Sequence, residues 1–146
     1  NRKTADLLAQ LDEIKTAKGN YAAAKRNCDD SLAALRAATR PRFADPTEQE
    51  LSELLTLCAA TPLHGYPLSH VYSALCLYLF QPDALFGGKI RIALAKRVAA
   101  TLGVSHPAVY LARPKIVAWM DIYPEFRNLM RELYARAQVF VRPQKI

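Results

Sequence analysis

Cysteine is scarce in this sequence and poorly placed for cross-linking. The three residues, Cys28, Cys58 and Cys76, are an odd number, widely spaced and without a Cys-x-x-Cys pair. That argues against a disulfide framework and against a zinc site. They read as small buried hydrophobes in a protein of the reducing cytoplasm. Long apolar runs are also missing. Residues 71–80 (VYSALCLYLF) are apolar but fall well short of the roughly 20 residues a spanning helix needs. No signal-peptide pattern opens the chain, so the expected location is cytoplasmic and no membrane partner is expected. No alternating apolar/polar run is long enough to predict a strand.

Catalytic patterns are equally thin. His64, His70 and His106 share no metal-ligand spacing. Asp29-Asp30 and the Glu48/Glu50/Glu53 series read as solvated helix faces, and no Ser-His-Asp order or paired carboxylates stand in a recognisable context. Gly87-Gly88 lacks the preceding strand and spacing of a phosphate loop. The expectation is a non-enzymatic protein without a metal or cofactor.

What the chain has is an uneven charge. Residues 1–64 hold nine Lys/Arg and nine Asp/Glu, whereas residues 65–146 hold eleven and four, so the whole net charge of +7 lies in the second part. Between residues 65 and 120 six cations face one acid, Asp83. Such asymmetry suggests that one part of the molecule meets a polyanion.

Hydrophobic spacing predicts an all-α chain. Leu7, Leu11, Ile14, Tyr21, Cys28, Leu32 and Leu35 fall on a 3.5-residue register, interrupted by Lys18 and Lys25. Residues 1–42 therefore read as a helical hairpin turning at Gly19-Asn20, or as a coiled-coil arm. Gly19-Asn20-Tyr21, Ala24 and Ser31-Leu32 resemble half of one tetratricopeptide repeat, but no second copy follows at the expected period. Pro41 ends this region. Asp45 as N-cap and Pro46 at the first helical position predict a connecting helix within 43–64, with Leu51, Leu54, Leu55 and Cys58 as its apolar face. Pro62 to Pro67 marks a soft domain boundary. In residues 65–146, Ser69 is expected to cap a central helix over 69–80, and Ile90, Leu94, Val98 and Leu102 form the stripe of a helix over 90–102.

The informative stretch is RVAATLGVSHPAVYLA, residues 97–112. A helix-turn-helix needs a small residue where its helices cross, a residue tolerant of positive φ in the turn, and hydrophobics that lock the pair. Ala99, Gly103, and Val98, Leu102, Val104 and Val109 meet these needs. Ser105 is expected to cap the second helix, with His106, Tyr110 and Arg113 near its exposed face. Pro114 should end that helix near 112–113 and start another, which Ile116, Val117, Trp119 and Met120 pack on the core before a break at Tyr123-Pro124.

Flanks included, residues 69–137 resemble the C-terminal DNA-binding domain of the bacterial chromosomal replication initiator, DnaA. That family shows Gly-Gly-Arg-Asp-His-Ser-Thr-Val followed by Ala and Arg-Lys-Ile. Gly103, His106, Val109, Ala112, Lys115 and Ile116 coincide with the pattern, and the segment opened by Pro124-Glu125-Phe126-Arg127 resembles its final helix. The resemblance implies a helix-turn-helix bundle and DNA as ligand. Of the group that touches bases and phosphates in the family, His106 is the member retained here.

Residues and resemblance together lead to double-stranded DNA as the expected partner. Base contacts are expected from His106, Tyr110 and Arg113, and phosphate contacts from Lys89, Arg91, Lys96, Arg97 and Lys115, with Ser105 at the helix start. A homodimer through the N-terminal helices would span two half-sites. The competing expectation is a protein–protein adaptor in which the N-terminal helices bind a partner and the basic part is a soluble surface.

Overall fold

The computed structural model of the chain describes residues 40–86 and 88–144. The expected N-terminal hairpin or arm, its homodimer stripe and Cys28 lie outside these residues. Among the described residues the chain is helical, with one isolated bridge between Phe43 and Pro143 and no strand. Five α-helices follow in order: α1 (Glu48–Ala59), α2 (Leu68–Phe80), α3 (Ile92–Leu102), α4 (His106–Ile122) and α5 (Pro124–Ala137). Short 3₁₀ turns cover Pro82–Phe86 and Gln138–Phe140.

Thr47, not Asp45, caps α1. Its hydroxyl accepts from the Glu50 N–H, and Glu50 accepts in return from the Thr47 N–H at 2.8 Å, a reciprocal capping box. Asp45 is engaged elsewhere, by Arg91 at 3.0 Å. Glu50 is also not the solvated acid the sequence suggested. It is buried and ion-paired with Arg142 at 3.3 Å, 92 residues away. Burial alone would raise its pKa; the Thr47 N–H and the Arg142 charge outweigh that and hold it below the usual carboxylate range.

Helix α2 is the centre of the molecule. Nine of its thirteen residues are buried, on nearly every side. It begins at Leu68 behind Pro67 without the expected Ser69 cap; the Ser69 hydroxyl instead lies 3.2 Å from the His70 ring. Tyr72, fully buried on α2, donates its hydroxyl to the Leu51 carbonyl of α1. Leu51, Leu54 and Cys58 of α1 belong to the same buried cluster as α2, α3, α4 and α5. The expected connecting helix is thus part of one core, and residues 62–67 are a turn within it. His64 (φ 54°) and Gly65 (φ 88°) reverse the chain there. Cys58 and Cys76 are buried free thiols, as expected; burial pushes Cys58 up to about 12 and Cys76 likewise upward, so both stay protonated.

The expected break at Pro114 does not occur; α4 runs through it from His106 to Ile122. A proline there removes one hydrogen bond and crowds the Tyr110 carbonyl, at a cost of about 3 kcal/mol. Two features offset it. The Pro114 ring sits on the exposed side of the helix and displaces no core side chain. Val109, Ala112, Ile116 and Met120, all buried, share one stripe only if the helix continues. At the end of α4, Arg127 donates to the Met120 and Asp121 carbonyls, and Tyr123-Pro124 turns directly into α5, where a break was expected.

Candidate nucleic-acid interface

The turn between α3 and α4 is built by Gly103. Its φ of +74° is left-handed, where a side chain would be strained although space is open. The Gly103 N–H bonds the Ala100 carbonyl and the Val104 N–H the Ala99 carbonyl, the paired bonds of a Schellman ending. Ala99, Val98 and Val109 are buried at the crossing, as the helix-turn-helix reading requires. Val104 is not: the left-handed residue swings it outward and leaves it 42% exposed. Ser105 occupies the N-cap position of α4, but its hydroxyl makes no capping bond, and Pro107 in the first turn carries no N–H.

The nine residues expected to form the site fall into three groups. Lys96 is exposed and Arg97 half-buried on α3, flanking exposed Ala93 and Ala100. At about 100° per residue these four share the outward side of the helix. Lys89 is exposed in the loop before α3. That loop is held by residues the sequence reading passed over. The buried Gln81 side chain donates to the Lys89 carbonyl and accepts the Arg91 N–H at 2.8 Å. Gly88 lies so close to Asp83 that a Cβ would stand 2.7 Å from its carboxylate. Arg91 faces this loop but is committed to Asp45 and, at 3.3 Å, to the Phe80 carbonyl.

On α4 the expected residues separate. His106, Tyr110 and Arg113 run down one edge, with the His106 and Tyr110 rings 6.0 Å apart. Arg113 does not point outward; it is half-buried and its guanidinium donates to the Gly88 carbonyl. Its position one residue beyond buried Ala112 places it beside the core stripe, within reach of the loop. Lys115 lies on the opposite edge, close enough to His70 of α2 for its charge to act there. Burial first, and Lys115 second, lower the His70 pKa. His70 stacks on Trp119 at 5.4 Å; Trp119 in turn meets Tyr66 at 5.2 Å and Phe126 at 5.5 Å. Trp119 is thus a half-buried member of an aromatic cluster at the core's edge rather than a central core residue.

Between those two edges the outward side of α4 carries Pro107, Leu111, Pro114, Ala118 and Ile122, with Leu111 78% and Ile122 61% exposed. No cation lies on that stripe. Among the described residues no group of His, Cys, Asp or Glu could hold a metal ion, and no helix is long and apolar enough to cross a membrane. Comparison of the chain with protein-family models, with curated proteins and with solved structures gives no match in any of the three.

Proposed function

We propose that this is a non-enzymatic protein that binds double-stranded DNA through the α3–α4 helix-turn-helix, mainly by its phosphates. The observation that carries the reading is the α3 face. Lys96 and Arg97 stand outward on either side of the small Ala93 and Ala100, so a backbone can approach closely. Lys89 extends that face from a loop pinned by Gln81 and Arg113. Base contact falls to the exposed His106 and, beside it, the half-buried Tyr110 on the α4 edge. Arg91 and Arg113 act as props of the Lys89 loop, which revises their expected roles as phosphate and base contacts. Affinity for a duplex measured at two salt concentrations tests this. Binding should fall steeply with salt, because each phosphate contact releases condensed counterions. Replacing Lys96 and Arg97 together with Ala should weaken all duplexes alike and lower the logarithmic salt slope by about one unit per lost contact. Absence of duplex binding at low salt would overturn the reading.

A second reading, a protein–protein adaptor, is favoured by one observation, the apolar outward stripe of α4. In it the basic residues keep the surface soluble and the molecule binds a partner chain. The same duplex titration separates the two.

A further inference from the structure

Residues 98–112 contain no Lys, Arg, Asp, Glu, Asn or Gln. They run from the middle of α3 through the turn into the second turn of α4, and in a helix-turn-helix the start of the second helix faces the base edges. The major groove is read by few pairings: Arg or Lys on guanine, Asn or Gln on adenine, Asp or Glu on cytosine, and an apolar group on the thymine methyl. The first three are missing from this stretch. Arg113, the next charged residue, is engaged by the Gly88 carbonyl, and the Thr101 hydroxyl by the Arg97 carbonyl. Ser105, His106 and Tyr110 supply the polar groups that remain.

The stretch exposes apolar side chains instead. Val104 in the turn is 42% exposed and Leu111 78%, with exposed Pro107 one helical turn before Leu111. The surroundings are of one sign. Residues 88–120 hold six cations and no acid, and Lys89, Lys96 and Arg97 stand on the α3 side of the turn. A protein partner for an apolar patch needs no such field. A duplex does: its phosphates flank a groove in which thymine presents a methyl group.

We infer that the start of α4 selects thymine: Leu111 and Pro107, with Val104 in the turn, lie against thymine C5 methyl groups in the major groove. The inference rests on the DNA-binding reading and specifies which base that site prefers. Pro107 and Leu111 stand about 6 Å apart along the helix axis, more than one base-pair step of about 3.4 Å, so in a helix lying along the groove they meet different base pairs. One buried methyl corresponds to about fourfold in affinity.

The probe is a duplex of alternating A and T, compared with the same duplex carrying uracil for thymine, which lacks only the methyl group. At equal salt the full chain should bind the thymine duplex at least about fourfold tighter, with the same salt slope for both. Leu111→Ala should remove that advantage and leave the uracil duplex bound as before. The position is exposed and alanine is a better helix former, so the variant keeps its fold. Lys96→Ala with Arg97→Ala should instead weaken both duplexes alike. Equal binding of the thymine and uracil duplexes would overturn the inference while DNA binding stands. So would a preference that Leu111→Ala leaves intact, as duplex shape alone would give. Binding to neither duplex at low salt would remove the DNA-binding reading and the inference with it.

Discussion

Helices α2 and α4 are both rich in apolar residues, but α4 also carries Arg113, Lys115 and Asp121, and the two are buried to very different extents. Nine of thirteen residues of α2 are buried, against four of seventeen in α4. In α2 apolar residues are needed all round because α1, α3, α4 and α5 surround it. In α4 a narrow stripe suffices for the core, and the apolar residues opposite it are left largely exposed by the other described residues. Composition and burial run in the same direction here, and within α4 the phase of each apolar residue relative to the neighbouring helices decides which are covered.

The largest expected effect breaks that comparison at equal chemistry. Leu75→Ala in α2 removes a fully buried side chain and should cost about 2–5 kcal/mol, whereas Leu111→Ala in α4 should change stability by no more than about 0.5 kcal/mol. Chemical denaturation of the two variants measures both, and equal losses would show that α4 is covered as tightly as α2.

Pro114→Ala sharpens the contrast from the other side. It restores an N–H to the Tyr110 carbonyl and relieves the ring contact, so it should raise stability by about 1–3 kcal/mol if α4 is continuous. Destabilisation would place a helix end at 113, as the proline alone suggests. A smaller effect, about 1 kcal/mol, is expected for Tyr72→Phe, which deletes the α2 hydroxyl bonded to the Leu51 carbonyl; thermal melting would read it.

The smallest effect concerns the joint between the two helices. His70 of α2, against Trp119 and near Lys115 of α4, has a lowered pKa because burial and then the Lys115 charge disfavour its protonated form. The unfolded chain takes up that proton first. This contribution to stability is present above the ordinary histidine range and is lost as pH falls through the lower folded value. Stability followed across that window should slope less in His70→Gln, and Lys115→Gln should narrow the window.

Much of the architecture was legible in the sequence because helix ends carry local chemistry. Gly103, the Pro82 stop and the Tyr123-Pro124 break all stand where expected. The Pro114 reading failed because propensity is local, whereas Ile116 and Met120 anchor the far half of α4 to other helices. Thr47 rather than Asp45 caps α1 because it forms a reciprocal capping box with Glu50, a Thr-x-x-Glu spacing present in the sequence but passed over for the Asp-Pro pair. Side-chain placement at the candidate site was legible for the exposed Lys89 and Lys96, and less so for the half-buried Arg97. It was not legible at Arg113, whose direction depends on where the Gly88 carbonyl lies, nor at Gln81 and Glu50, whose partners are set by tertiary packing.

The clamp between residues 42–44 and 142–144 also bears on how the chain can be rewired. Since Gln144 and Arg42 share a hydrogen bond of 2.8 Å, the two ends of the described region emerge side by side. A circular permutant joining 144 to 40 through a short linker, and opened in the exposed turn at His64-Gly65, should keep the five-helix core.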